Sequence, residues 1–328
     1  MSNNTFQNPR RRGRGCLLWL GGAVVILLGL AVAGLVYESA AEAADVRAYP
    51  PPGQMVDVGG YRLHINCTGT GSPTVVIEAG RSDWSLGWSG VQPGVAKITR
   101  VCSYDRAGLG YSETGPLPRD AAQFARELDL LLRRANVPGP YVLAGHSLGG
   151  LPLRVYAHEH PDQVAGVVLI DSLSPSQAKG PVPDASSRNA SQARGPSIPS
   201  ILARFGVVRL FIKPTGAIAP EAEQAYAAFS VTRRSAEAWA DEGRGMPASL
   251  DQAYAVKSFG DLPLIVLTAR LNQEAGWQAN QTGLLQLSSN SQQLFAEQSG
   301  HNINSDQPQA AVEAIVKMVE QLRQAARR

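Results

Sequence analysis

A serine between two glycines follows a run of strand-forming residues at positions 141–150, YVLAGHSLGG. Gly145, Ser147 and Gly149 fit the pattern G-x-S-x-G, in which a tight turn from a strand into a helix exposes the serine hydroxyl. Glycines suit both flanks because a Cβ atom there would clash with neighbouring backbone. The N-terminus of the following helix would stabilise a developing oxyanion beside the hydroxyl. The pattern and its context predict that Ser147 is a nucleophile in acyl transfer.

A serine hydroxyl needs a general base, and histidine is the commonest one. The chain has five histidines. His301, in QSGHNINSDQP, is expected in a loop between a strand-like segment and the last helix, where catalytic groups are often found. Of the other four, His146 lies inside the serine turn, and His158 and His160 lie at the far end of the helix after it. His64 lies on an early strand. His301 is therefore predicted to be the base.

Strand-like and helical segments alternate along the chain that must position these groups. Short apolar runs rich in β-branched residues are typical of strands covered on both faces: TVVIEAG, RVCSYD, YVLAGH, VAGVVLID and LPLIVLTA. An earlier segment, MVDVGGYRLHINC, is typical of a hairpin. Apolar residues at helical spacing follow Asp120, a candidate N-cap, and recur at the C-terminus. The alternation predicts an α/β fold with a doubly wound, mostly parallel sheet.

Residues 172–258 contain no clear buried strand and interrupt this alternation. They begin with a polar stretch rich in Pro, Gly and Ser and pass into helical patterns, of which IPSILARFGVVRLFI is too apolar to be left in water. We expect a helical cap with a mobile entrance loop; a disordered insertion is the alternative. The predicted order along the chain is a basic tail (1–15), a transmembrane anchor (16–37), a stalk (38–54), the first part of the core (55–171), the cap (172–258) and the second part of the core (259–328).

The N-terminal segment 16–37 has no charged residue. As a helix it would span about 33 Å, enough to cross a hydrocarbon core of about 30 Å. Arginines precede it, and Glu38, Glu42 and Asp45 follow it, so the positive-inside rule predicts a cytoplasmic N-terminus and an extracytoplasmic remainder. The alternative is a signal peptide cleaved at the small residues 41–43, but a cleavable apolar core is usually shorter.

From about residue 55 to the C-terminal helix, the chain resembles the α/β-hydrolase superfamily. The resemblance is carried by RVCSYDRAGLGYS, by GHSLGG at the serine turn and by SGH near the end. It implies a triad in the chain order serine, acid, histidine. The expected mechanism requires no cofactor, and a metal site is not expected because no His/Cys cluster has ligand spacing. A serine at the nucleophile position argues against dehalogenase or epoxide hydrolase chemistry, for which an aspartate would be expected there.

The acid of the triad has two candidates. The resemblance implies a carboxylate after LPLIVLTA, where Glu274 is the first one and precedes Trp277. Some relatives place the acid at the end of the preceding strand, which here is Asp171. Either carboxylate would fix the tautomer of His301 and stabilise its protonated form. Glu274 is preferred here and Asp171 is kept as the alternative.

Two backbone N–H groups are expected to form the oxyanion hole. One belongs to Leu148, directly after the nucleophile. The resemblance implies that the second belongs to Arg81, in the loop after TVVIEAG. It also implies that the second strand lies antiparallel beside the fourth, which would bring Cys67 near Cys102. A disulfide between them is allowed outside the cytoplasm, and two free thiols are the alternative.

The preferred function is a membrane-anchored serine hydrolase that cleaves a carboxylic ester or related small acyl compound. A first alternative is an aminopeptidase or amidase of the proline iminopeptidase type, with Glu221, Glu223 or Glu237 as an acidic subsite for an amine. A second is a binding protein that keeps the fold without the chemistry. A nucleic-acid partner is not expected, because the net charge is only +3 and the arginines cluster at positions 10–14.

Overall fold

The computed structural model describes residues 10–174, 197–211, 219–271 and 274–328, and side chains from residue 19 onward. The described residues contain an eight-stranded sheet in the order β1-β2-β4-β3-β5-β6-β7-β8. Its strands are β1 (Gln54–Asp57), β2 (Arg62–Thr68), β3 (Thr74–Glu78), β4 (Val101–Tyr104), β5 (Tyr141–His146), β6 (Val164–Ile170), β7 (Leu264–Ala269) and β8 (Ser291–Ala296). All pairs from β4 to β8 are parallel. The predicted α/β fold with a mostly parallel sheet is confirmed.

The hairpin at one edge of the sheet pairs β1 with β2, and β2 runs antiparallel to β4. In the second pairing Cys67 lies directly opposite Cys102, and the two form a disulfide. The bond ties the hairpin to the parallel part of the sheet and closes a loop with a sequence separation of 35 residues.

Helices cover both faces of the sheet. In chain order the α-helices of the described residues are α1 (Arg10–Ala48), α2 (Gln92–Ala96), α3 (Ala121–Arg134), α4 (Gly150–Glu159), α5 (Ile198–Arg204), α6 (Val207–Phe211), α7 (Pro220–Ser230), α8 (Arg233–Ala255), α9 (Trp277–Leu284), α10 (Ile303–Asp306) and α11 (Pro308–Ala325). One apolar core lies between the sheet and α3 and α4, and another lies between the opposite face and α2 and α11. Asp120 caps α3, because its carboxylate accepts from the backbone N–H of Gln123 at 2.9 Å.

The helices α5 to α8 lie between β6 and β7 in the chain and are called the cap here. The long helix α8 packs against α3, α4 and α5. The polar stretch expected to be an entrance loop falls largely on 175–196, and this segment and 212–218 lie outside the described residues. The cap boundaries at 172 and 258 remain a prediction.

The N-terminal helix α1 is longer than the predicted anchor. Its part Trp19–Ala48 is long and apolar enough to cross a membrane, with a mean hydropathy of 2.4 over its most apolar window, none of which is buried. The first part of the segment predicted as a stalk, 38–54, continues this helix as far as Ala48. Helix α1 contacts α5 and α7 of the cap.

Candidate active site

Ser147 lies on a strained turn at the carboxyl end of β5. Its φ is +53°, in the left-handed region that few non-glycine residues adopt. A Cβ atom built on Gly145 would lie 2.9 Å from the carbonyl oxygen of Gly149, and one built on Gly149 would lie 2.5 Å from that of Glu78. Both flanking positions therefore require glycine because of close backbone approach, as the G-x-S-x-G pattern predicts.

Three side chains form a continuous hydrogen-bonded chain at this turn. The Nε2 atom of His301 lies 2.9 Å from the Oγ of Ser147. On the other side of the ring, Nδ1 lies 2.7 Å from Oδ2 of Asp171. A proton can pass from the hydroxyl to the imidazole while the carboxylate fixes the ring's tautomer. The three residues keep the chain order serine, acid, histidine.

Asp171 is fully buried and held by several donors. It directly follows β6, and its Oδ1 accepts from the backbone N–H of Ala269 at 3.0 Å and from Nε1 of Trp277 at 2.9 Å. The ring of Trp277 also packs edge-on against His301, with centroids 5.2 Å apart. Sequence reasoning did not identify Trp277 as part of the site, because an indole shows no pattern that distinguishes a site residue from a core residue.

The preference for Glu274 as the acid is corrected by this geometry. Glu274 is exposed, and its carbonyl oxygen accepts from the N–H of Trp277 at 3.0 Å. From the segment after β7 it is Trp277 that contacts both Asp171 and His301. Asp171, the alternative candidate, occupies the position beside the imidazole.

His146, which precedes the serine, supports the loop that carries His301. Its Nε2 lies 2.8 Å from the carbonyl oxygen of His301, and since a carbonyl only accepts, Nε2 must carry the proton. Burial, with a further contribution from the nearby imidazole of His301, lowers the pKa of His146 to about 4. His146 is therefore neutral at pH 7 and acts as a fixed donor. This contact holds the backbone at His301, and sequence reasoning, which only excluded His146 as the base, did not identify it.

The expected oxyanion-hole residues lie on either side of the serine. Leu148 follows Ser147 at the start of a short helical turn. Gly80 and Arg81, in the loop after β3, line the same cavity as Ser147 and His301. A Cβ atom built on Gly80 would lie 3.5 Å from the Cβ of Ser147, which shows how closely this loop approaches the turn. Donation by the Leu148 and Arg81 N–H groups remains a prediction.

The cavity above Ser147 has a volume of about 360 Å³ and a polar lining. Asp83 contributes a carboxylate to it, and Oδ1 of that carboxylate accepts from the hydroxyl of Tyr226 at 3.1 Å. Burial raises the pKa of Asp83 to about 6. The three glutamates proposed as an amine subsite lie elsewhere: Glu221 lines a separate groove, Glu223 is exposed and Glu237 pairs with Arg233 at 2.6 Å.

The fold agrees with a comparison with known families. A family model described as the alpha/beta hydrolase fold matches residues 73–308. The chain belongs to the α/β-hydrolase family. The match covers every strand after the hairpin together with Ser147, Asp171 and His301.

Individual relatives of this α/β hydrolase are more distant. The uncharacterized protein YqjL of Bacillus subtilis is 25% identical over 245 residues, which cover 73% of this chain and 81% of that protein. The probable transporter efuK of Hormonema carpetanum is 33% identical over 128 residues, 37% of this chain but only 18% of that protein. Among solved structures, the epoxide hydrolase CorEH is 21% identical with a TM-score of 0.61, covering 82% of this chain and 98% of that one. This last similarity shows the fold alone.

A buried ion network connects the expected oxyanion loop of the hydrolase to its cap. Arg106 donates to Glu78 in β3 and to Glu242 in α8, each at 2.7 Å, and to the carbonyls of Ala79 and Gly80 at 2.7 and 2.6 Å. Glu242 in turn accepts from the backbone N–H of Ser82 at 2.9 Å. A structural ion pair between Asp105 and Arg106 would be the simplest expectation from RVCSYDRAGLGYS. Instead, Asp105 faces His64, with Oδ2 and Nδ1 2.9 Å apart.

Replacing Arg106 by Leu should destabilise the hydrolase by about 3–5 kcal/mol, because it leaves buried carboxylates without their partner. Chemical denaturation followed by circular dichroism measures this loss. Arg62, whose side chain is 57% exposed in its pair with Glu113, is the matched control, and Arg62→Leu should leave the midpoint nearly unchanged. Equal effects of the two substitutions would contradict a role for the network.

Among the described residues, no group of three His, Cys, Asp or Glu side chains is arranged to hold a metal ion.

Proposed function

We propose that this α/β hydrolase is a serine hydrolase that cleaves a carboxylic ester or related small acyl compound. As Oγ of Ser147 attacks the acyl carbon, Nε2 of His301 takes its proton. The imidazolium then gives that proton to the leaving alkoxide, and an ester bond to Ser147 remains. A water molecule, deprotonated by His301, attacks this acyl-enzyme and releases the carboxylic acid and the free serine.

The observation that supports this proposal is the hydrogen-bonded chain from Ser147 through His301 to Asp171, with its distances of 2.9 and 2.7 Å. The similar epoxide hydrolase does not favour epoxide opening here, because the residue on the strained turn is a serine and not an aspartate. An intact nucleophile and base also argue against a binding protein that has lost the chemistry.

Active-site labelling tests the proposal directly. A fluorophosphonate probe should label the purified protein at Ser147, and p-nitrophenyl esters of increasing acyl length should be hydrolysed with a burst of p-nitrophenol. An unlabelled, folded protein that hydrolyses none of these esters would contradict the proposal. The same probe in a membrane-impermeant form, applied to intact cells, reports on which side of the membrane the site lies.

We infer further that α1 anchors this domain in a membrane with the N-terminus in the cytoplasm. The arginines at 10–14 precede the apolar run, which follows the positive-inside rule. The Cys67–Cys102 disulfide fits an oxidising compartment. Glu38 in α1 is almost fully buried against the cap, so cleavage at 41–43 would remove part of the folded domain's packing. Retention of α1 is therefore favoured over a cleaved signal peptide.

An aminopeptidase or amidase is the second candidate, and Asp83 is the observation that favours it. Its carboxylate lines the cavity of Ser147, where it could bind a substrate ammonium group. With a pKa of about 6, Asp83 would be anionic above that pH and neutral below it.

Parallel assays separate the two candidates. If Asp83 binds an amine, the KM for aminoacyl anilides should fall as the pH rises through 6, and Asp83→Asn should remove this dependence while the KM for neutral p-nitrophenyl esters stays unchanged. Esterase activity without any anilide turnover would reject the second candidate and retain the first.

A further inference from the structure

Five large apolar side chains lie exposed on the cap helices α5 and α6. They are called the apolar ridge here: Ile198, Ile201, Leu202, Leu210 and Phe211, with exposed fractions of 74, 44, 42, 64 and 80%. Soluble surfaces rarely gather so many large apolar groups without a partner. The ridge is therefore a candidate interaction surface.

The spacing within α5 shows that its exposed apolar side chains share one face. Ile198, Ile201 and Leu202 are three and four residues apart, as neighbours on one side of a helix are. Ser200 and Ala203 are buried, so the opposite side faces the protein. Helix α5 thus packs its small residues Ser200 and Ala203 against the protein and turns its large apolar residues outward, where Arg204 at its end is also exposed.

The ridge lies beside the apolar part of α1. A Cβ atom built on Gly34 would lie 2.6 Å from the carbonyl oxygen of Phe205, the residue that follows α5. At Gly206, where φ is +72°, an added Cβ would lie 2.7 Å from the ring of Tyr37. The turn between α5 and α6 therefore meets α1 with almost no space between the two backbones.

This contact fixes the position of the apolar ridge along the axis of α1, relative to the end of the predicted anchor. Tyr37 is the last residue of the uncharged run 16–37, and Gly34 lies one helical turn before it. With a rise of about 1.5 Å per residue, Gly34 lies about 4–5 Å inside the end of that run. A bilayer that surrounds the run would therefore reach the turn at Phe205, from which α5 and α6 extend.

Ion pairs between α6 and α1 hold the cap at this position along α1. Arg209 in α6 donates through Nε and Nη2 to both oxygens of Glu38, at 3.0 and 3.1 Å, and through Nη1 to Asp45 at 2.7 Å. Glu38 and Asp45 follow the apolar run of α1 by one and eight residues. The charged contacts thus lie beyond the end of the run, on the side where a membrane gives way to water.

We propose that the apolar ridge inserts into the surface of the lipid bilayer that α1 spans. This inference rests on the proposed membrane anchor and is independent of the proposed chemistry. The ridge then lies at the boundary between lipid headgroups and acyl chains, where amphipathic helices bury their apolar faces. The cap is then held against the membrane by α1 and by its own helices α5 and α6, so that the hydrolase domain has one fixed orientation on the bilayer.

Spin labels on the full-length protein test the inference without reference to activity. In a Cys16→Ser background, single cysteines replace Ile198 or Phe211 in the apolar ridge. Val25 in α1 is the control for the anchor. Ile98 is the matched control for an exposed apolar residue, because it lies at the opposite, amino-terminal edge of the parallel strands. Each variant is labelled with a nitroxide and reconstituted into vesicles of phosphatidylcholine with a minority of phosphatidylglycerol. Electron paramagnetic resonance power saturation then compares collisions with oxygen, which concentrates in lipid, and with a water-soluble nickel chelate.

The ratio of oxygen to nickel accessibility should exceed unity at positions 25, 198 and 211 and fall below unity at position 98. A lipid-like ratio at 25 with water-like ratios at 198 and 211 would overturn the inference while leaving the anchor intact. A water-like ratio at 25 would overturn both. Low accessibility to both reagents at 198 and 211 would indicate a protein partner on the ridge, which also overturns it.

Discussion

Replacement of Asp171 by Asn should lower kcat for ester hydrolysis by about 10⁴-fold, the loss expected when a triad histidine has an amide in place of its carboxylate. The amide keeps the size of the side chain. Its oxygen can still accept from Ala269 N–H and Trp277 Nε1–H, so the fold should be retained. Its NH₂ group then faces Nδ1 of His301, which stabilises the wrong tautomer and leaves Nε2 unable to take the proton of Ser147.

Glu274→Gln is the matched control, since it makes the same chemical change at the other candidate acid. Glu274 is exposed, and kcat for that variant should equal that of the wild type. Steady-state kinetics on one p-nitrophenyl ester, with circular dichroism to verify folding, measures both. A nearly unaffected Asp171→Asn enzyme, or a large loss in Glu274→Gln, would restore Glu274 as the acid.

The strands and the serine turn could be predicted because their physical requirements are local. A buried parallel strand needs a continuous apolar run, and VAGVVLID or LPLIVLTA meets that need without reference to the rest of the chain. The turn at Ser147 needs glycines on both sides because the backbone around it is crowded. His301 could be predicted by elimination, because His146 lies inside the turn itself and the other three histidines lie on an early strand or at the far end of the next helix.

The acid could not be predicted with the same certainty because its choice depends on distances between strand ends. Both β6 and β7 end beside the turn, and one carboxylate follows each of them in the sequence. The path of the chain after β7, which brings in Trp277 and leaves Glu274 exposed, has no local signature. The ion network of Arg106 has no local signature either, because its partners Glu78 and Glu242 are 28 and 136 residues away in the sequence.

The contact between α1 and the cap also has no signature in the sequence. Segment 38–54 contains several Ala and Pro residues and a few charges, which is equally typical of a loose stalk. Only the three-dimensional arrangement pairs Glu38 and Asp45 with Arg209, more than 160 residues later. As a result, a segment interpreted as a spacer is a helical continuation of the apolar helix that packs on the cap.

Replacement of Ser147 by Ala should have the largest effect of any single substitution, a loss in kcat of about 10⁶-fold. The methyl group removes the nucleophile, so no acyl-enzyme can form. The cavity and the pair between His301 and Asp171 remain, and residual turnover would come only from binding and from the backbone donors. Labelling by a fluorophosphonate probe should disappear with it.

Ser305 provides the matched control, because it lines the same cavity and its hydroxyl donates to the carbonyl of Asn302 at 3.1 Å. Ser305→Ala should keep full labelling and turnover. A substrate-derived ester should still bind to Ser147→Ala with an affinity close to the wild type's, since ground-state binding does not need the nucleophile. Undiminished labelling or turnover in Ser147→Ala would mean that another group carries the chemistry, and the serine hydrolase mechanism would fail.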